Sequence, residues 1–215
     1  MKETLHKYQS EYENSRGCFW EKRPASYVRL FMEKYATDLH GKKILDIGAG
    51  EGKNAVWLAN LGAMVIAIDV SPIALKRFEQ QPDFENCKKR ITRIQQSMTD
   101  AHFPLENFDI IVAYGVLHCL DSRDEIFEML SKIRNWLKPG GFFICASFTD
   151  AIPVPSIQDY LNEKSFLKEG ELEGKLSGFI IMAYENGVIT ETHSTSNIEH
   201  QHSIVRIIAQ KNENI

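Results

Sequence analysis

The stretch ILDIGAGEGKNA, Ile44 to Ala55, restricts what this chain can fold into more than any other. Ile44, Leu45, Asp46 and Ile47 read as a buried strand, Gly48, Gly50 and Gly52 as a tight turn, and Asn54 to Leu61 as a helix. Strand, glycine turn and helix in succession bring backbone amides close to a ligand, because glycine has no Cβ to hold the ligand away. Two phosphate-binding versions fail at identifiable positions. A dinucleotide fingerprint needs a third glycine where Lys53 stands, and the Gly-Lys-Ser/Thr of a P-loop is absent.

Charge narrows the ligand further. Asp46 precedes the turn, Glu51 lies within it, and Asp69 closes the next apolar run, VIAID. Carboxylates crowded there repel a pyrophosphate but attract a ligand carrying a sulfonium and an ammonium. S-adenosylmethionine is such a ligand. Asp69 follows Gly48 by about twenty residues, the spacing at which the second strand presents an acid to a ribose diol. That acid serves either cofactor; the missing glycine and the extra carboxylates favour S-adenosylmethionine over NAD.

A chain of 215 residues with 43% hydrophobic content can bury one good-sized core, so residues 1–215 are expected to form a single domain. Within it we expect a helical cap (1–40), a cofactor-binding core (41–148) and a substrate-side loop with C-terminal strands (149–215). A net charge of -4 argues against broad binding to nucleic acid or anionic membranes. No run is apolar enough to span a bilayer or serve as a signal peptide, so the expected compartment is the cytoplasm. Cys18, Cys87, Cys119 and Cys145 are widely spaced and read as reduced thiols.

Elements follow in a regular order. Cys18, Phe19 and Trp20 form an apolar knot ahead of a helix from Ala25 to Tyr35. Met64 to Ile68 is a strand apolar almost throughout, and Ser71-Pro72 opens a helix to about Gln81. Ile91 to Ile94 and Phe108 to Tyr114 are strands, and Ser122 to Leu137 is a helix. Lys138-Pro139-Gly140-Gly141 reads as a stop before a strand from Phe142 to Ser147. Five such βα units predict an α/β protein with an open, mostly parallel sheet, helices on both faces. Phe179 to Tyr184 and Val188 to Thr192 are read as a hairpin turning at Glu185-Asn186-Gly187, with a last strand from His202 to Gln210.

ILDIGAGEGKNA with VIAIDVSP resembles the first two motifs of class I S-adenosylmethionine-dependent methyltransferases. GAGEGKNAVWLANLGAMVIAIDVSP and Phe166 to Leu172, which matches F-x-x-x-G-E-L, are similar to the tellurite-resistance (TehB-type) small-molecule branch. The resemblance implies a Rossmann-like, doubly wound, seven-stranded sheet with an antiparallel C-terminal hairpin and an N-terminal helical cap. It implies that Asp46, Gly48, Ala49, Gly50, Glu51 and Asn54 frame the methionyl part of S-adenosylmethionine. Asp69, Val70 and Ser71 would serve the ribose, Asp100 and Ala101 the adenine, and Tyr114 the region beneath the transferred methyl. The product would be S-adenosylhomocysteine.

His118 follows the fourth strand and, by that resemblance, lies near the reaction centre. Tyr114, His118 and His202 are the candidate catalytic residues, with Arg23, Lys168, His193 and His200 as further substrate-side groups. His200 and His202 share a face if both lie in one strand. Joining His193 to them across a loop is poor grounds for a metal site, and no metal is expected. Ala113-Tyr114-Gly115-Val116 replaces the N/D-P-P-Y/F segment of nucleic-acid amino-methyltransferases, so a small-molecule acceptor is expected, handled by a monomer or homodimer. The competing functions are an NAD-dependent oxidoreductase and a non-catalytic S-adenosylmethionine-binding partner protein.

Overall fold

The computed structural model describes residues 9–10, 12–14, 22–36, 38–162, 164, 166–192 and 198–213. Cys18, Phe19, Trp20 and His193 lie outside them. Helix α1 (Ser26–Lys34) precedes strand β1 (Lys43–Ile47), helix α2 (Lys53–Asn60), strand β2 (Met64–Asp69) and helix α3 (Pro72–Lys76). Ser71 caps α3 through its hydroxyl, which accepts the Ala74 amide at 3.2 Å, with proline at the first helical position. Short helix α4 (Phe84–Cys87), strands β3 (Ile91–Gln95) and β4 (Phe108–Tyr114), helix α5 (Arg123–Trp136) and strand β5 (Leu137–Phe148) follow. Helix α6 (Glu171–Lys175) and strands β6 (Phe179–Glu191) and β7 (His200–Lys211) complete the chain.

The seven strands lie in the order β3-β2-β1-β4-β5-β7-β6. The first five run parallel; β7 is antiparallel to both β5 and β6. Chain order reverses between β1 and β4, so the crevice beyond their carboxyl ends is where such a sheet takes its ligand.

Period-two alternation divides the core between the faces. Leu45, Ile47, Ile111 and Phe143 pack with Ile126, Met129 and Ile133 of α5. Ile44, Ile110, Val112 and Ile144 pack with Val28 and Phe31 of α1 and Val56 and Leu58 of α2. Among the described residues, no helix is long and apolar enough to cross a membrane.

Two sequence expectations need correction. Lys138-Pro139-Gly140-Gly141 lies inside β5, not ahead of it. It loops out of the ladder, with Leu137 opposite Phe108 and Phe142 opposite Ile110, and Gly140 takes φ +72°. Asn186-Gly187 does not turn: the two residues sit mid-strand in β6, opposite Val205 and Ile204. The twelve-residue partner β7 overrides the local turn preference, and the reversal comes after Glu191. The antiparallel C-terminal hairpin is present, with longer strands than the sequence suggested.

Candidate active site

The loop after β1 is drawn tightly against β2. Amides of Gly48 and Ala49 both donate to the Ile68 carbonyl, at 2.9 and 3.0 Å, and Gly52 closes a turn onto Ala49 at 3.0 Å. A Cβ on Gly48 (φ +64°) would lie 2.3 Å from Val116 Cγ2, and one on Gly52 (φ +85°) would lie 2.6 Å from the Phe78 ring. Only glycine satisfies both the left-handed backbone and the space.

The acids around this loop divide into two kinds. Asp69 is a structural acceptor: Oδ2 takes the Gly50 amide and Oδ1 the Ser71 amide, each at 2.8 Å. Burial pushes its carboxyl up, and the amides of Ser71, Gly50 and Val70 oppose that rise. Asp46 is 1% exposed, and its Oδ2 accepts no hydrogen bond from the described residues. Burial first, and the Asp69 charge second, push its carboxyl up to about 7, against the Ala55 amide and the Lys53 ammonium. Glu51, which the sequence suggested as a third ligand acid, is 2% exposed and paired with Arg77 at 3.0 Å. Its charge is therefore compensated within the protein, which leaves Asp46 and Asp69 as the pair a cationic ligand would neutralise.

Other expected cofactor residues surround the same crevice. Asn54 is buried and accepts the Ala25 amide through Oδ1 at 2.9 Å, which fastens the start of α1 to the loop. Tyr114, at the end of β4, shares a 3.0 Å hydrogen bond with Ser26 Oγ. These two contacts hold the first turn of α1 at the carboxyl end of the parallel strands. Asp100 is exposed and Ala101 buried, just beyond β3; Asp100 Oδ1 lies 3.4 Å from Thr99 Oγ1.

Around Phe148 the structure brings together residues far apart in sequence. His118 is 3% exposed and stacks on Phe148 with centroids 4.0 Å apart. The other face of Phe148 carries His202, also at 4.0 Å and inclined by 8°. Phe166, from the F-x-x-x-G-E-L segment, packs edge-on to His118. His118 Nδ1 accepts the Phe148 amide at 3.4 Å, which leaves the ring hydrogen on Nε2. Burial, then His202 and Lys164, hold His118 down to about 3, so its ring is neutral at ordinary pH. Such a ring is a weak base and a competent Nε2 donor.

His202 Nε2 lies 3.6 Å from Glu191 Oε1, and His200 Nε2 3.9 Å from the same oxygen. Burial raises the Glu191 carboxyl, while His200 and the Lys53 ammonium of the cofactor loop lower it. Arg23 is exposed, and Lys168 lines an open cavity of about 390 Å³ with Arg123, Lys164 and Phe166. Phe148, Glu191 and Lys53 were missed in the sequence. The first two carry no local motif, and Lys53 registered only as a glycine that was not there.

Comparison with known proteins gives the likeness that this geometry suggests. Residues 44–141 match the family described as "Methyltransferase domain". Over that stretch the chain is similar to class I methyltransferase domains, of the kind that work with S-adenosylmethionine. It is 32% identical over 111 residues to the mitochondrial ubiquinone biosynthesis O-methyltransferase of Schizosaccharomyces pombe, covering 51% of this chain and 39% of that one. It is 25% identical over 170 residues to a probable S-adenosyl-L-methionine-dependent methyltransferase TehB of Haemophilus influenzae, covering 68% of this chain and 58% of that one. The chain thus spans well under two thirds of these curated relatives. In fold it is similar to the 1,6-didemethyltoxoflavin-N1-methyltransferase of Burkholderia thailandensis, solved with 1,6-didemethyltoxoflavin and S-adenosylhomocysteine bound. That likeness has a TM-score of 0.69 at 18% identity and covers 98% of this chain and 88% of that one.

Proposed function

We propose that this protein is an S-adenosylmethionine-dependent methyltransferase acting on a small molecule, either a tellurite- or selenite-like oxyanion or a small organic nucleophile. The observation that carries the proposal is the Asp46–Asp69 pair beside a loop that admits no side chain at Gly48 or Gly52. A buried carboxylate with an unsatisfied oxygen next to a second acid is costly alone and favourable against a cation. The cradle therefore fits S-adenosylmethionine, and opposes the pyrophosphate of NAD.

In this reading Asp46 and the Gly48–Glu51 backbone hold the methionyl end. Asp69 keeps acceptor capacity for the ribose beyond the amides it already takes, with Val70 and Ser71 alongside, and Asp100 and Ala101 meet the adenine. Bound there, S-adenosylmethionine supplies a methyl group activated by its sulfonium. The protein's share is alignment, which can supply a large part of such a rate. Tyr114 and the His118–Phe148–His202 wall define where the acceptor sits, and His118 orients it by donating from Nε2. Because His118 is a weak base, the wall suits a nucleophile that arrives anionic or loses its proton elsewhere. The quinone and toxoflavin chemistry in the names of similar proteins supports an organic acceptor, and the TehB likeness supports an oxyanion.

The test is release of S-adenosylhomocysteine with tellurite, selenite, phenols, amines and thiols in turn. Turnover with one class identifies the acceptor. Binding of NAD without S-adenosylmethionine would instead establish an oxidoreductase. Cofactor binding with no turnover on any acceptor would indicate a non-catalytic partner protein.

A further inference from the structure

At the open end of the β6–β7 ladder three ligand-type side chains converge. His200 and His202 are two apart in β7 and so project to the same face, and both are buried. Glu191, the last residue of β6, is the direct cross-strand partner of His200. His202 Nε2, His200 Nε2 and a Glu191 oxygen all lie within 4.8 Å of one another.

We propose that Glu191, His200 and His202 form a binding site for a divalent first-row transition-metal ion, with Zn²⁺ as its simplest occupant. The distances carry the argument. Separations of 3.6 and 3.9 Å between each Nε2 and the shared Oε1 are too long for hydrogen bonds. They are close to the roughly 3.3 Å between ligand atoms that tetrahedral coordination implies for Zn–N and Zn–O bonds of about 2.0–2.2 Å.

The surroundings are also those of a metal site. His200 directs Nδ1 at the Ile198 carbonyl, 2.9 Å away, so that nitrogen carries the hydrogen and Nε2 presents its lone pair toward Glu191. A ligating histidine is ordinarily held in this way by a second hydrogen bond from its other nitrogen. His202 is kept in one orientation by its stack on Phe148. All three groups sit on paired strands, which hold geometry better than loops do. Two imidazoles and one carboxylate favour zinc, iron or manganese over magnesium or calcium, which take mainly oxygen ligands. Glu191 thus occupies the place for which the sequence offered only His193.

Three protein ligands leave a coordination position open. The ring stack from His202 through Phe148 to His118 places the site beside the acceptor wall. The open position is therefore available to an acceptor bearing an oxygen or sulfur donor. That use of the ion rests on the methyltransferase reading above; its binding does not.

The experiment uses the full chain, stripped with a chelator and titrated with Zn²⁺ by calorimetry and with Co²⁺ by visible absorption. One equivalent is expected to bind, with the intense bands of four-coordinate cobalt. Glu191→Gln, which keeps size and shape, and His202→Ala should each weaken uptake by at least about 30-fold, beyond the lower range for loss of a supporting contact. Circular dichroism and binding of S-adenosylhomocysteine, measured on the same samples, report folding and the cofactor site separately. Three results would overturn the proposal: no stoichiometric uptake by folded protein, uptake that needs millimolar metal, or tight uptake that both folded variants retain.

Discussion

Two groups of ionisable side chains stand on different parts of the sheet, and they are built by different means. Asp46 and Asp69 stand at the ends of adjacent parallel strands, and the residues that hold them, Gly50, Ser71 and Ala55, are within a few positions of the loop or of the acids. Glu191, His200 and His202 stand at the far, antiparallel side of the sheet, and their supports, Phe148 and Ile198, come from another strand and a connecting segment. The first group is acidic throughout and calls for a cation-bearing cofactor. The second mixes imidazole with carboxylate.

The sharpest break between the two ends should come at Gly48. Gly48→Val places a branched side chain at φ +64° and in contact with Val116. Left-handed strain and overpacking together should cost on the order of 4 kcal/mol, read as a fall in denaturation midpoint and loss of cofactor binding. A fully stable variant that still binds would mean the loop is not the cradle.

Asp46 sets the next effect. Its carboxyl is near 7 in the folded protein and near 3.8 when unfolded, so between these values the folded state holds more protons. Stability should therefore fall as pH rises from about 4 to about 7, by as much as about 4 kcal/mol, and level off above. Chemical denaturation across that range measures it, and Asp46→Asn should flatten the slope. An equal slope in both proteins would assign the effect to another group.

Smaller still, Asp69→Ala should weaken S-adenosylmethionine binding by about 1.5–3 kcal/mol, the range for hydrogen bonds to a charged group. Unchanged affinity in calorimetry would remove Asp69 from the cofactor site. Phe148→Leu should do the reverse. Losing the stacks on His118 and His202 should cost about 1–2 kcal/mol of stability while leaving cofactor affinity within about twofold. A large loss of affinity there would erase the distinction between the two ends.

What could be read in the sequence follows the same division. The glycine turn, the Ser71 cap and the Asp69 position are local, so their residue types and spacing report the backbone directly. The Glu51–Arg77 pair was not legible, because the two residues are 26 apart in sequence and meet only in the fold. Asn186-Gly187 misled because a turn preference worth little was set against a ladder running the length of β7. With the reversal moved past Glu191, that residue falls opposite His200, a pairing no motif announces. The His118–Phe148–His202 stack draws on three separate segments and has no signature in any of them.

The central claim is that Asp46, held half-protonated near neutrality by burial first and by its neighbour Asp69 second, receives the positive charge of S-adenosylmethionine. Calorimetric titration of wild type and Asp46→Asn between pH 6 and 8 tests it most directly. With a carboxyl near 7, the ionised fraction rises roughly tenfold over that range, and wild-type affinity should rise by about the same factor. The variant should bind more weakly at pH 8 and show no such rise. Affinity for S-adenosylmethionine that is independent of pH in wild type, or binding of NAD in its place, would contradict the account.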